Sequence, residues 1–193
     1  MERLKPYVNN VYAVNSSAKD AIQIPLGFRD DQYTSHKLLD KINKKPFEKN
    51  ILCLLNFSIG NNEDERTNAL NTFKNYNWVI NDTSNNPSLH LDHKNKETER
   101  LRKEFYKKLV HTKFVICPFG AGKDTHRVYE ALFFEAIPII KTSFLDEMYK
   151  KLGECWIVND WSEVTEDECN RKWNAGGFKP FNMDVRKWIN MYG

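Results

Sequence analysis

No uninterrupted apolar run in this 193-residue chain approaches the length of a membrane span, and the opening Met1-Glu2-Arg3-Leu4-Lys5 lacks the apolar stretch of a signal peptide. These absences make a soluble, cytoplasmic protein without a membrane span the expectation. Cysteine is scarce: Cys53, Cys117, Cys155 and Cys169 lie far apart, with neither a disulfide framework nor metal-ligand spacing, as suits a reducing compartment. An excess of one charge is missing too. The formal net charge is only +3 and basic residues alternate with acidic ones, so nothing suggests a nucleic-acid partner. What the chain has is core material: 40% hydrophobic and 13% aromatic residues exclude a disordered polymer, and the length suits one domain with a real core.

Two familiar phosphate-binding motifs are absent as well. A P-loop requires glycine where Cys117 stands and Ser or Thr where Asp124 follows Lys123. The dinucleotide fingerprint requires a third glycine where Thr125 stands. In their place, Lys113 to Lys141 is expected to form strand, glycine loop, helix and strand. Phe114, Val115, Ile116 and Cys117 form a short apolar run stopped by Pro118, the pattern of a buried strand. The loop Phe119, Gly120, Ala121, Gly122 and Lys123 carries two glycines suited to positive φ and to close approach by a ligand. Asp124 or Thr125 can cap the helix that follows, which aligns Val128, Ala131, Leu132 and Glu135 before Pro138 ends it. Ile137, Ile139 and Ile140 supply the next strand.

A helix N-terminus behind such a loop directs free N–H groups and the positive end of its dipole at one spot, which makes an anion site. Arg127 in the first turn can add a bidentate contact to phosphate, and Glu130, three residues on, can accept two hydrogen bonds from a sugar diol. The competing reading is a plain surface pair between the two side chains.

Strands are expected near residues 51, 78, 114, 138 and 156, each followed by a helix or loop. That order predicts an α/β fold: an open, mostly parallel, Rossmann-like sheet with helices on both faces. Residues 49–193 would form this domain and 1–48 an N-terminal strand and crossover segment, with short strands at 8–14 and 21–24. Helices are expected at 36–45, 63–76, 97–110 and 184–191; the charged face of 97–110 needs only solvent as its partner. Ser143 is expected to cap a helix running through Lys151. Residues 81–96 are expected to form a surface loop, in which His90, Asp92 and His93 do not complete a metal site. Ligands of parallel sheets bind beyond the strands' carboxyl ends, which gathers Ser58, Arg66 and Gly120 to Arg127 around one crevice. Arg66 is then either a second phosphate contact or an ordinary surface residue.

The segment PFGAGKDTHRVYEALFFEAIPIIK, continued by SFLDEMYKKLGECWIVNDWSEVTEDE, resembles the nucleotide-sugar-binding half of exostosin-like glycosyltransferases of the GT-B fold. NVYAVNSSAKDAIQIPLGFRD resembles more weakly the crossover between their two halves. The resemblance implies Arg127 at the diphosphate of a nucleotide sugar and Glu130 at its ribose. Gly120, Ala121, Gly122, Lys123, Thr125 and His126 would surround the donor. One departure stands out, Glu135-Ala136 where the family pattern has Gly-Cys.

The implied reaction is inverting glycosyl transfer to a hydroxyl of a glycan or protein-linked acceptor. Cofactor and metal are not expected, because no Asp-x-Asp metal motif stands at a strand end and Arg127 can stabilise the leaving diphosphate. Asp124 and His126 are the titratable groups nearest the loop, and Asp124 is the candidate base. About fifty residues precede the first core strand, too few for an acceptor domain, so a partner chain or a second copy would supply that site. Two alternatives remain: a donor-binding module without activity, and an α/β protein that binds a different phosphorylated ligand.

Overall fold

A computed structural model describes residues 10–27, 47–85, 96–153 and 155–176. The expected helices at 36–45 and 184–191, the trio His90, Asp92 and His93, and the boundary residue of the helix at Pro46 lie outside the described residues.

The core is a five-stranded, all-parallel sheet built from β3 (Ile51–Leu55), β4 (Val79–Asn81), β5 (Thr112–Ile116), β6 (Ile137–Lys141) and β7 (Trp156–Val158). A separate pair precedes it: β1 (Val11–Ala13) lies parallel to β2 (Ala21–Gln23), with Val11 opposite Ala21. The strand order in the large sheet is β4-β3-β5-β6-β7. The chain therefore moves outward from β3 to β4, crosses back to β5, and then proceeds in the other direction. The gap between β3 and β5 is the topological switch point of the sheet, where the connections after the two strands leave toward opposite faces.

Alternation along the strands loads both faces. Leu54, Val115 and Ile140 pack on one side against α2 (Lys96–Leu109), α3 (His126–Phe133) and α4 (Asp146–Leu152). Cys53, Leu55, Phe114, Ile116 and Ile139 pack on the other against α1 (Glu63–Phe73), the 3₁₀ turn Trp161–Glu163 and α5 (Glu166–Asn174). The apolar runs that looked continuous in sequence thus serve two layers, as parallel strands covered on both faces must.

Several local expectations need correction. Pro138 does not end a helix; it is the second residue of β6, opposite Val115, and pairing with β7 begins one residue later at Ile139. The helix before it ends at Phe133, because Ala136 N–H returns to Ala131 O at 2.9 Å and Glu135 N–H to Leu132 O at 3.1 Å, closing the turn with Glu135 at φ 56°. Glu135 is therefore not on the helix at all. The cap of α4 is Leu145 rather than Ser143, whose hydroxyl instead accepts the Leu145 N–H. Thr165 caps α5, accepting from Glu168 N–H. No helix among the described residues is long and apolar enough to cross a membrane.

Candidate functional site

A crevice of about 310 Å³ opens at the carboxyl ends of the strands. Its walls are the segment after β3, represented by Phe57, Ser58 and Asn61, and the segment after β5, represented by Pro118, Gly120 and Gly122. It thus sits at the switch point between β3 and β5, where two connections diverge and leave a gap. The start of α3 closes one end with Thr125, His126 and Arg127.

Arg127 and Glu130 pair, with Arg127 Nη1 2.7 Å from Glu130 Oε2. They do not form the solvated surface pair of the competing reading, since their side chains are only 15% and 8% exposed. Arg127 also donates through Nη2 to Asn56 Oδ1 at 3.2 Å and stacks its guanidinium 3.8 Å from the centroid of the Phe105 ring. Asn56 is itself fixed by donating to Asp82 O and Oδ2, both at 3.1 Å, and Asp82 is held by Lys108 at 2.6 Å. Glu130 Oε1 accepts the Tyr106 hydroxyl at 3.1 Å. Arg127 is thus held by Asn56 just after β3 and by Phe105 of α2 as well as by its own helix.

Arg66 reaches the same crevice from α1. Its Nε donates to Phe119 O at 2.9 Å and its Nη1 to Ser58 O at 2.5 Å, so it ties the two crevice walls together. It is buried and tied to backbone carbonyls, so it is not an ordinary surface residue. Burial lowers the Arg66 pKa, and the charge of Arg127 lowers it further. Arg102, buried on α2, also lines the crevice. The charged face of α2 was expected to need only solvent; instead one of its arginines turns into the site.

One of the two roles expected of the loop glycines, positive φ, is not used. Neither has positive φ. A Cβ on Gly120 would come within 2.7 Å of Arg66 Nη2, and one on Gly122 within 2.5 Å of Asn15 Nδ2. They are small so that side chains of the protein itself can cross the loop. Asn15, at φ 54° after β1, clamps the loop: its Oδ1 accepts Asp124 N–H at 2.6 Å and its Nδ2 donates to Asp124 O at 3.2 Å.

Asp124 does not cap α3; the N-cap is Thr125, and no side chain bonds there. The Asp124 carboxylate accepts from Tyr129 OH at 2.5 Å, Tyr149 OH at 2.8 Å and Leu26 N–H at 2.8 Å. Burial nevertheless pushes its pKa up, against the pull of those donors. His126 Nδ1 contacts Gly27 O at 2.8 Å, a second tie between the segment after β2 and the start of α3. Thr125 Oγ1 is buried without a hydrogen-bond partner among the described residues.

Of the residues singled out in the sequence, Ser58, Arg66, Gly120, Ala121, Gly122, Asp124, Thr125, His126, Arg127 and Glu130 all line this crevice. Lys123 does not. It borders a neighbouring groove, with Nζ 4.0 Å from the centroid of the Phe119 ring. Asn15, Asn56, Arg102 and Tyr106 were not foreseen. A polar residue ending an otherwise apolar strand, as Asn56 does after Leu55, was the one available signal. No group of three or more His, Cys, Asp or Glu among the described residues is arranged to hold a metal ion.

Residues 33–164 match the family described as the RXYLT1 C-terminal domain. The chain belongs to that family. Membership in the RXYLT1 C-terminal domain family supports a relationship to glycosyltransferases, and the match covers the crevice residues from Phe57 to Glu130 but not Asn15 and Leu26, which precede it. No curated protein matches the chain.

Proposed function

We propose that the crevice binds the nucleoside diphosphate of a sugar donor and that the chain takes part in inverting glycosyl transfer without a metal cofactor. The observation that carries the reading is that Arg66 and Arg127 both line one crevice, each with its guanidinium pinned by the protein, and the charge of Arg127 adds to burial in lowering the Arg66 pKa. Two guanidinium groups held together against their mutual repulsion suit a ligand with two adjacent negative charges. Arg127 contacts the diphosphate, Glu130 accepts the ribose diol, and the orphan hydroxyl of Thr125 finds its partner on the ligand.

When the bond to the sugar lengthens, charge collects on the departing diphosphate. Donors already fixed by Asn56, Phe105 and Ser58 stabilise that charge without reorganising. Both carboxyls of the crevice are engaged, Glu130 by Arg127 and Tyr106, and Asp124 by two tyrosines and a backbone amide. Asp124 therefore serves to hold the loop, and the base that deprotonates the acceptor is neither of these two carboxyls.

The test is turnover. Incubated with a panel of nucleotide sugars, the wild-type chain is expected to release nucleoside diphosphate slowly by hydrolysis, faster once an acceptor-bearing partner is added. Arg127→Ala lowers that rate by about tenfold or more, the loss of a charge-assisted contact. No release from any donor, with or without partner, while nucleotides still bind, would leave a donor-binding module and overturn the transferase reading.

A further inference from the structure

Glu130 is held from two sides that differ in kind. Its Oε2 takes Arg127, which lines the crevice and is available to a ligand; its Oε1 takes the hydroxyl of Tyr106, which is fully buried on α2. A diphosphate that shares Arg127, still held by Asn56 and Phe105, loosens its hold on Oε2 and would leave a weakly supported carboxylate to turn away from the ligand. Tyr106 prevents that, because it is packed among Phe105 and Phe134, with ring centroids 5.5 and 5.1 Å away, and cannot follow Arg127. Burial also pushes the Tyr106 pKa up, so the hydroxyl keeps the proton it donates.

We infer that Tyr106 is a positioning residue that fixes Glu130 to accept both hydroxyls of a ribose, making the crevice select ribonucleotides over 2′-deoxyribonucleotides. A carboxylate held at one oxygen presents its remaining lone pairs in a fixed plane, and a vicinal diol offers two donors to match. A deoxyribose offers one. The inference rests on the nucleotide reading above and adds to it a discrimination that Arg127, which sees only phosphate, does not make.

The experiment is calorimetric titration of uridine, guanosine, adenosine and cytidine diphosphates and their 2′-deoxy counterparts against wild type, Tyr106→Phe, Glu130→Gln and the double variant. Wild type is expected to prefer the ribonucleotide by about tenfold, the scale of one hydrogen bond to a charged group. Tyr106→Phe should erase most of that preference while changing deoxynucleotide affinity by less than about twofold, and the double variant should lose nothing more than Glu130→Gln alone. An equal loss for both nucleotide forms in Tyr106→Phe would show a merely structural tyrosine and overturn the inference. So would a ribose preference that persists in Glu130→Gln, which probes the same hydrogen bond should Tyr106→Phe fail to fold. Failure of every nucleotide to bind wild type would overturn the nucleotide reading itself, and the inference with it.

Discussion

Glu135 occupies the left-handed position that ends α3, at φ 56°, in a turn that usually takes glycine. Its side chain is exposed, so the conformation is imposed by the turn rather than repaid by packing. Lys49 donates to the neighbouring Phe134 O, and burial lowers its pKa to about 8, against the opposing pull of Glu135. Glu135→Gly is expected to raise stability by about 0.5–1 kcal/mol, read from the denaturant midpoint at unchanged slope. An unchanged or lower midpoint would show that Glu135 contributes more through Lys49 than it costs in backbone strain. The sequence marked this position as unusual, since Glu135-Ala136 replaces Gly-Cys of the resembled pattern, but a helical period carried Glu135 onto the helix. Propensity does not reveal a left-handed residue when the side chain is not glycine, and so the turn stayed hidden.

At the scale of elements, β1, β2 and the segment after them act as a latch on the glycine loop. Asn15 holds both backbone groups of Asp124, Asp124 Oδ2 holds Leu26 N–H, and His126 meets Gly27 O. Asn15→Gly removes the clamp without a penalty for the positive φ at this position. It is expected to speed hydrogen exchange at the Leu26 amide and to weaken nucleoside diphosphate binding severalfold, by about 1 kcal/mol for two part-exposed hydrogen bonds. Unchanged exchange at Leu26 would mean that Asp124 alone holds the segment. None of this was legible beforehand, because Asn15 and Asp124 are 109 residues apart and Asp124 was read as a helix cap or a candidate base. Helix α2 carries the same lesson. Leu101, Phe105 and Leu109 recur at helical spacing, yet Arg102 and Tyr106 share their buried side. A charged residue is assigned to solvent by default, and only a partner from another element, here Glu130 behind Tyr106, shows otherwise.

For the molecule as a whole, the alternation of strands and helices and the glycine loop were enough to set the sheet's class and place the crevice. Strand order and the switch point between β3 and β5 were not, since register across a parallel sheet depends on which crossovers pack together. Everything proposed for this crevice depends on its being a nucleoside diphosphate site organised by Arg127. The most direct measurement is the dissociation constant of nucleoside diphosphates for wild type and Arg127→Ala by calorimetry. Saturable one-to-one binding to wild type is expected, weakened by about tenfold to a hundredfold in the variant. Binding of equal strength to both proteins, or none to either, would contradict it.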